Sequence, residues 1–450
     1  MSAWLEFRTI GIVLLALALT VSALMPSGAA ADPAVSVVRD PSLPQDIKGL
    51  DFEIGRALFD RQWAAAPSST QAADGLGPLF NARGCNVCHP GGGRGVAYDA
   101  SGAVLAALLL KLGPHGGMGG GIGDPVYGQQ IQPDSVAGLG AEAEAKVTFE
   151  THAVTLADGT TVELRKPVFA LDRPAYGALA KETVLSPRLA TAINGIGLLQ
   201  RIPEAEILER AAPSGTGVSG KPNRVTDPVT GKIALGRFGW KAGAAEFQVQ
   251  DGKALNLDIG LSNPLYHDAY GDCTAAEPQC HAMPNGASPQ FENLEVPSSL
   301  MRLIDRFVAE AVLPPTVSTA KDVAHGREVF MAAGCEACHR AAFQLPAADN
   351  LPARSIAPYS DLLLHDMGFE LADHMVEGDA SGKEWRTAPL WGIGQALAAP
   401  GGVSLLHDGR ARTVLEAILW HDGEAADARR HVEQLSQPDR QALIDFIGSL

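Results

Sequence analysis

Polar and apolar positions along the chain fall into three patterns. From Gly49 to Trp63, Phe52, Leu58 and Phe59 share a face with Gly55, which predicts an amphipathic helix. From Ala145 the period shortens to two: Val147, Phe149, Thr151 and Ala153 alternate with polar residues. Asp158-Gly159 supplies a turn and Val162, Leu164 and Val168 continue beyond it, the pattern of a β-hairpin. At Ser298 the helical period returns, with Leu300, Leu303, Ile304, Phe307, Val308 and Val312 on one stripe and Ser298 as the predicted N-cap. Further helices are predicted from about Thr319 to Ala333 and at about 411–421 and 438–449. The stretch 174–211 reads as short helices broken by Pro187 and Pro203, and 213–297 as loop.

Composition adds limits. With 46% hydrophobic residues in 450, the chain can bury a large core. Its 49 glycines concentrate partly in 91–123, which cannot be regular throughout. A net charge of −16 repels phosphate backbones and anionic membrane surfaces, so nucleic acid is not an expected partner. Residues 9–25 are uncharged and apolar, Arg8 precedes them, and Ala29-Ala30-Ala31 follows. This predicts a signal peptide over 1–31 and a periplasmic destination. No later run is long enough to span a membrane.

The six cysteines carry the chemistry. Four fall into two identical C-x-x-C-H arrangements, Cys85/Cys88/His89 and Cys335/Cys338/His339. Two thiols at this spacing can each form a thioether to a haem vinyl group, and the adjacent His reaches the iron. A closed zinc site needs four ligands, and a thioredoxin-like motif would not explain the two histidines. The expectation is therefore two covalently attached haem c groups, with His89 and His339 as axial ligands. Cys273 and Cys280 are expected to close a short disulfide loop in an oxidising compartment.

Phe80-x-x-x-Gly84 before the first motif matches Phe330-x-x-x-Gly334 before the second, as though a helix ended at each glycine. The predicted fold is mainly α: two cytochrome-c-like haem domains with a loop-rich, partly β insertion. The segments are a signal peptide (1–31), an N-terminal haem domain (32–144), the insertion with the hairpin and disulfide (145–297) and a C-terminal haem domain (298–450).

Most of the mature chain resembles the bacterial di-haem oxidoreductases of the peroxidase-like type, distant relatives of the di-haem cytochrome c peroxidases and of the MauG-type enzymes. The stretches that carry the likeness include Arg237-Phe-Gly-Trp240, Leu362-Leu-Leu-His365-Asp-Met367-Gly, Trp385-Arg-Thr-Ala-Pro389-Leu-Trp391 and Leu406-His407-Asp408-Gly409-Arg410. In those relatives a His-Asp-Gly turn leads into a helix that supplies the far-side ligand of the C-terminal haem, a Met or a Tyr. The equivalent position here is His421, with Met367 as its competitor.

The resemblance implies a periplasmic peroxidase-like oxidoreductase. Hydrogen peroxide or another small oxidant would meet the N-terminal haem, which is expected to be peroxidatic. The C-terminal haem would transfer electrons from a small donor cytochrome, or toward a protein substrate. His115, on the glycine-rich stretch, is a candidate displaceable ligand or acid–base residue, and Gln130 and Glu150 are candidates for moving the peroxide proton. Trp240, Trp391 and above all Trp420, beside His421, are candidates to lie beside the haems. Calcium is a further candidate cofactor, although the relatives' calcium motif is not matched before His407. The competing reading is a non-catalytic di-haem electron-transfer protein, with a link to iron acquisition as one form of it.

Overall fold

The computed structural model describes residues 36–44, 48–116, 123–211, 217–314, 323–348, 351–399 and 401–450. The predicted signal peptide and Gly119-Gly120-Gly121 lie outside them. In chain order the elements used below are strand β1 (Val38–Arg39), helix α1 (Lys48–Phe59), the short helix α2 (Cys85–Cys88) and strands β2 (Leu108–Pro114), β3 (Glu144–Thr155), β4 (Thr161–Asp172) and β5 (Thr183–Leu189). Helices α3 (Phe247–Leu257) and α4 (Ser298–Glu310), strand β6 (Ala311–Val312), helix α5 (Val323–Ala332) and strands β7 (Leu364–Asp366) and β8 (Glu384–Arg386) follow. Helices α6 (Val414–Leu419), α7 (Ala426–Gln434) and α8 (Gln437–Ile447) end the chain. Among the described residues no helix is long and apolar enough to cross a membrane.

The structure is 28% helical and 22% strand, which corrects the expectation of a mainly α fold. The strand content is spread over separate two-stranded sheets. The largest is the predicted hairpin: β3 pairs antiparallel with β4, Val147 opposite Phe169, around the Asp158-Gly159 turn. Another pairs β2 with β5 over the full length of both, with Leu110 opposite Pro187. Pro187 was read as a helix break. In a two-stranded sheet every strand is an edge, so a residue without an N–H is tolerated there.

Two helix crossings place the Cys-x-x-Cys-His motifs. In the first, α1 packs on α4 and buries Phe52, Phe59 and Phe307, with ring centroids 5.2 Å (Phe52–Phe307) and 5.0 Å (Phe59–Phe307) apart. Each such buried ring contributes about 1.5–3 kcal/mol. Strand β1 closes on β6, directly after α4. In the second, α5 packs on α8, with Phe330 and Phe446 5.3 Å apart. A Cβ on Gly55 would run into the Leu303 carbonyl and Phe307, and one on Gly326 into the Ala442 carbonyl and Phe446. Both glycines stand in a Gly-Arg-x-x-Phe segment, 55–59 and 326–330. Phe59 then lies 6.2 Å from the His89 ring and Phe330 lies 6.4 Å from the His339 ring.

The internal repeat therefore runs through Phe59 and Phe330. Phe80 sits on a two-residue strand, and Gly84 is extended (φ 175°), so no helix ends there. Gly334, at φ 86°, does end α5 in the left-handed conformation that favours glycine. Helix α4, read from sequence as the start of the C-terminal segment, packs against α1. Its cap is Pro297, and the Ser298 hydroxyl donates to Glu292 Oε2 at 2.6 Å instead.

Candidate functional site

Helix α2 carries Cys85 and Cys88, and His89 ends it. The His89 Nδ1 lies 2.6 Å from the Thr191 carbonyl oxygen. A carbonyl can only accept, so Nδ1 carries the proton and the Nε2 lone pair is left to bind a metal. Burial lowers the His89 pKa, which keeps the ring neutral. Neither cysteine is in a disulfide. Burial pushes the Cys85 thiol up to about 12 and raises Cys88 as well. Such thiols are not the stabilised thiolates of a redox or zinc motif.

A cavity of about 1690 Å³ opens against Cys88 and His89. One part of its wall carries Arg94, Trp240, Arg386 and Trp391. Another carries Lys111, Arg188, Lys253 and Glu377, with Gln130 and Asp258 nearby in the lining. Glu377 Oε1 lies 2.8 Å from Arg188 Nη2 and 3.5 Å from Lys111 Nζ. Burial opposes ionisation of Glu377, but the charges of Arg188 and Lys111 outweigh it and hold the carboxyl well below its usual range. Lys253 makes no hydrogen bond or ion pair among the described residues. The charge of Lys111, followed by burial, brings its pKa down to about 8.

The second motif repeats the histidine arrangement. His339 Nδ1 lies 3.0 Å from the Tyr359 carbonyl oxygen, which again leaves Nε2 free. Burial brings His339 down to about 4, and the charge of nearby His421 contributes. His421 Nδ1 lies 2.7 Å from the Ala417 carbonyl oxygen, one helical turn back, so its Nε2 is also free. Met367 packs in the same apolar cluster as Cys335, and its N–H donates to the Lys383 carbonyl at 3.0 Å. Beside Cys338, at 3.6 Å, His365 is held between Asp361 (2.9 Å) and Glu424 (2.7 Å). Burial opposes its charge, but these partners raise it to about 12.

A buried aromatic and ionic assembly is built around Trp385. Trp385, on β8, stacks on His407 with centroids 3.7 Å apart. Lys241 Nζ and the Arg188 guanidinium stand 4.5 and 4.8 Å from the Trp385 ring centre. Asp373 balances both cations, 2.9 Å from Lys241 and 2.8 Å from Arg188.

The structure separates the three residues named for peroxide chemistry. Gln130 lines the cavity, but its amide NH2 donates to the Leu257 carbonyl (3.2 Å) and Asp258 Oδ1 (2.9 Å). His115 is exposed and stacks on His374 at 5.3 Å. Glu150 is exposed on β3 of the hairpin. Neither lines the cavity. Trp240 and Trp391 do line it. Trp420 is buried in the C-terminal core under the Arg410 guanidinium, 4.5 Å from it, and its Nε1 has no partner among the described residues. Cys273 and Cys280 are joined by a disulfide. Among the described residues no group of three or more His, Cys, Asp or Glu side chains is arranged to hold a metal ion.

Sequence reasoning missed Arg94, Arg188, Lys253 and Glu377. Spacing offered no signal, because they come from four separate segments. His365 and Arg386 were within reach, since they sit in the Leu362–Gly368 and Trp385–Trp391 stretches already singled out.

Compared with known families, residues 129–450 match the model described as "Di-haem oxidoreductase, putative peroxidase". The match begins after the first Cys-x-x-Cys-His motif. No curated protein and no solved structure matches the chain.

Proposed function

The chain belongs to the di-haem oxidoreductase family, and from that premise we propose that it is an exported, peroxide-using enzyme with one haem c at each Cys-x-x-Cys-His motif. The observation that carries this reading is the repeated histidine arrangement. His89 and His339 each commit Nδ1 to a backbone carbonyl and leave Nε2 free, beside two unpaired cysteines three residues apart. The four thiols would form the thioethers and the two Nε2 atoms would ligate iron, with His421 Nε2 as a further ligand at the second motif. The disulfide between Cys273 and Cys280 supports an oxidising compartment.

Bound iron supplies a site for peroxide and one-electron redox chemistry. Reducing hydrogen peroxide to two waters takes two electrons and two protons, and two haems can store the electrons. The protein must hold a proton donor in the cavity where the peroxide binds. Among the cavity-lining cations Lys253 Nζ is poised to act as that donor: it is unpaired among the described residues and has a pKa of about 8. Glu377, pinned by Arg188 and Lys111, acts as a fixed charge that keeps the neighbouring cations in place. The electron donor is a small cytochrome, or a protein side chain oxidised in its place.

Stopped-flow mixing of the reduced protein with hydrogen peroxide tests the reading. We expect both haems to be oxidised in one turnover, one peroxide consumed per two electrons. Haems that stay reduced in peroxide would leave a non-catalytic electron-transfer protein.

A further inference from the structure

Arg94 stands five residues after His89 and faces the same cavity. Its guanidinium lies 5.8 Å from the Trp240 ring centre. It makes no hydrogen bond or ion pair among the described residues, and its Nη1 is buried without a partner. Arg386 enters the cavity wall from β8, held through its backbone N–H to the Trp240 carbonyl (2.8 Å) and through Nε to the Gly239 carbonyl (2.8 Å). Among the described residues its guanidinium makes one other hydrogen bond, a long one from Nη1 to the Thr387 carbonyl at 3.4 Å, and no ion pair. Two guanidiniums thus share the Gly239–Trp240 turn: burial disfavours the charge of Arg386, Asp361 favours it without pairing, and the charge of Arg94 disfavours it again.

Buried cations without counter-charges are costly. This chain does not lack acids, with a net charge of −16. The nearby acids are committed elsewhere. Glu377 is taken by Arg188 and Lys111, Asp258 by Gln130 and Asp361 by His365, and burial beside Asp305 disfavours the charge of Asp251. The missing negative charge is therefore to come from a ligand in the cavity. The geometry suits carboxylates: planar forks that accept from guanidinium N–H groups.

We propose that Arg94 and Arg386 form a carboxylate-binding site, and that the carboxylates are the two propionates of the first haem rather than those of a free substrate. The inference rests on the two-haem reading. It makes Arg94 and Arg386 positioning residues. They fix the edge of the macrocycle opposite the thioethers, and their charge raises the reduction potential of that haem by disfavouring the ferric state.

The test uses full-length holoprotein carrying Arg94→Gln or Arg386→Gln, with Arg94→Lys and Arg386→Lys as conservative controls. Haem is counted by pyridine haemochrome, and both midpoint potentials are followed by spectroelectrochemistry. We expect two haems per chain in every variant, a lower potential for the first haem only in the Gln variants, and recovery toward wild type in the Lys variants. Acetate added to the wild type should leave its spectrum and potentials unchanged. Both Gln variants keeping two haems at wild-type potentials would overturn the proposal. So would a saturable acetate-induced spectral change lost in the variants, which would assign the site to a free carboxylate. Fewer than two haems per wild-type chain would instead remove the two-haem reading beneath it.

Discussion

His421 directs its Nδ1 at the Ala417 carbonyl oxygen, 2.7 Å away, at the end of a short helix. That bond leaves Nε2 as the nitrogen free to bind a metal, and His421 lies near enough for its charge to act on His339. The competing ligand, Met367, packs in the same apolar cluster as Cys335 and donates its backbone N–H to the Lys383 carbonyl. We predict that His421→Ala converts the C-terminal haem from low spin to high spin, read in the near-infrared and by electron paramagnetic resonance. Met367→Ala should leave it low spin. The reverse result would make the thioether the ligand.

Lys253 gives a pH-dependent prediction. Its folded pKa is lowered to about 8, the proximity of Lys111 acting first and burial second. As the pH rises through that value, Lys253 loses the proton it would donate. Peroxide turnover should therefore fall on the alkaline side with an apparent pKa near that value. Lys253→Met should remove this limb and lower turnover by roughly 10²- to 10⁴-fold, the usual worth of a positioned acid or base. A variant that keeps both the rate and the alkaline limb would exclude Lys253 as the donor.

The two helix crossings predict matched stability effects. Gly55→Ala would drive a methyl into the Leu303 carbonyl, and Gly326→Ala into the Ala442 carbonyl. Overpacking of this kind costs typically about 1–3 kcal/mol. Each variant should lower the thermal midpoint, measured by far-ultraviolet circular dichroism. Midpoints equal to wild type would mean the crossings are looser than described.

Much of this organisation was legible in the sequence because it is local. The Cys-x-x-Cys-His motifs need only adjacent residues, and the hairpin declares itself by alternation around Asp158-Gly159. Helices α1 and α4 each bury one stripe, so their apolar positions recur at helical spacing. Helix α3 was missed because it buries residues on several sides, among them Phe247, Val249, Asn256 and Leu257, which erases the period. Strand β5 was missed because Pro187 suggested a break. The mainly α expectation failed for the same reason: short paired strands leave weaker local signals than helices. The cavity wall was legible only at Gln130, Trp240 and Trp391. Arg94, Lys253 and Arg386 meet only through the packing of distant segments.

The most direct test of the central claim is carbon monoxide binding to the fully reduced protein, with haem counted in the same sample. The account predicts two covalently bound haems per chain. One, at His89, should be open to carbon monoxide; the other, held between His339 and His421, should be closed to it. A single haem, or two haems that both refuse carbon monoxide, would contradict it.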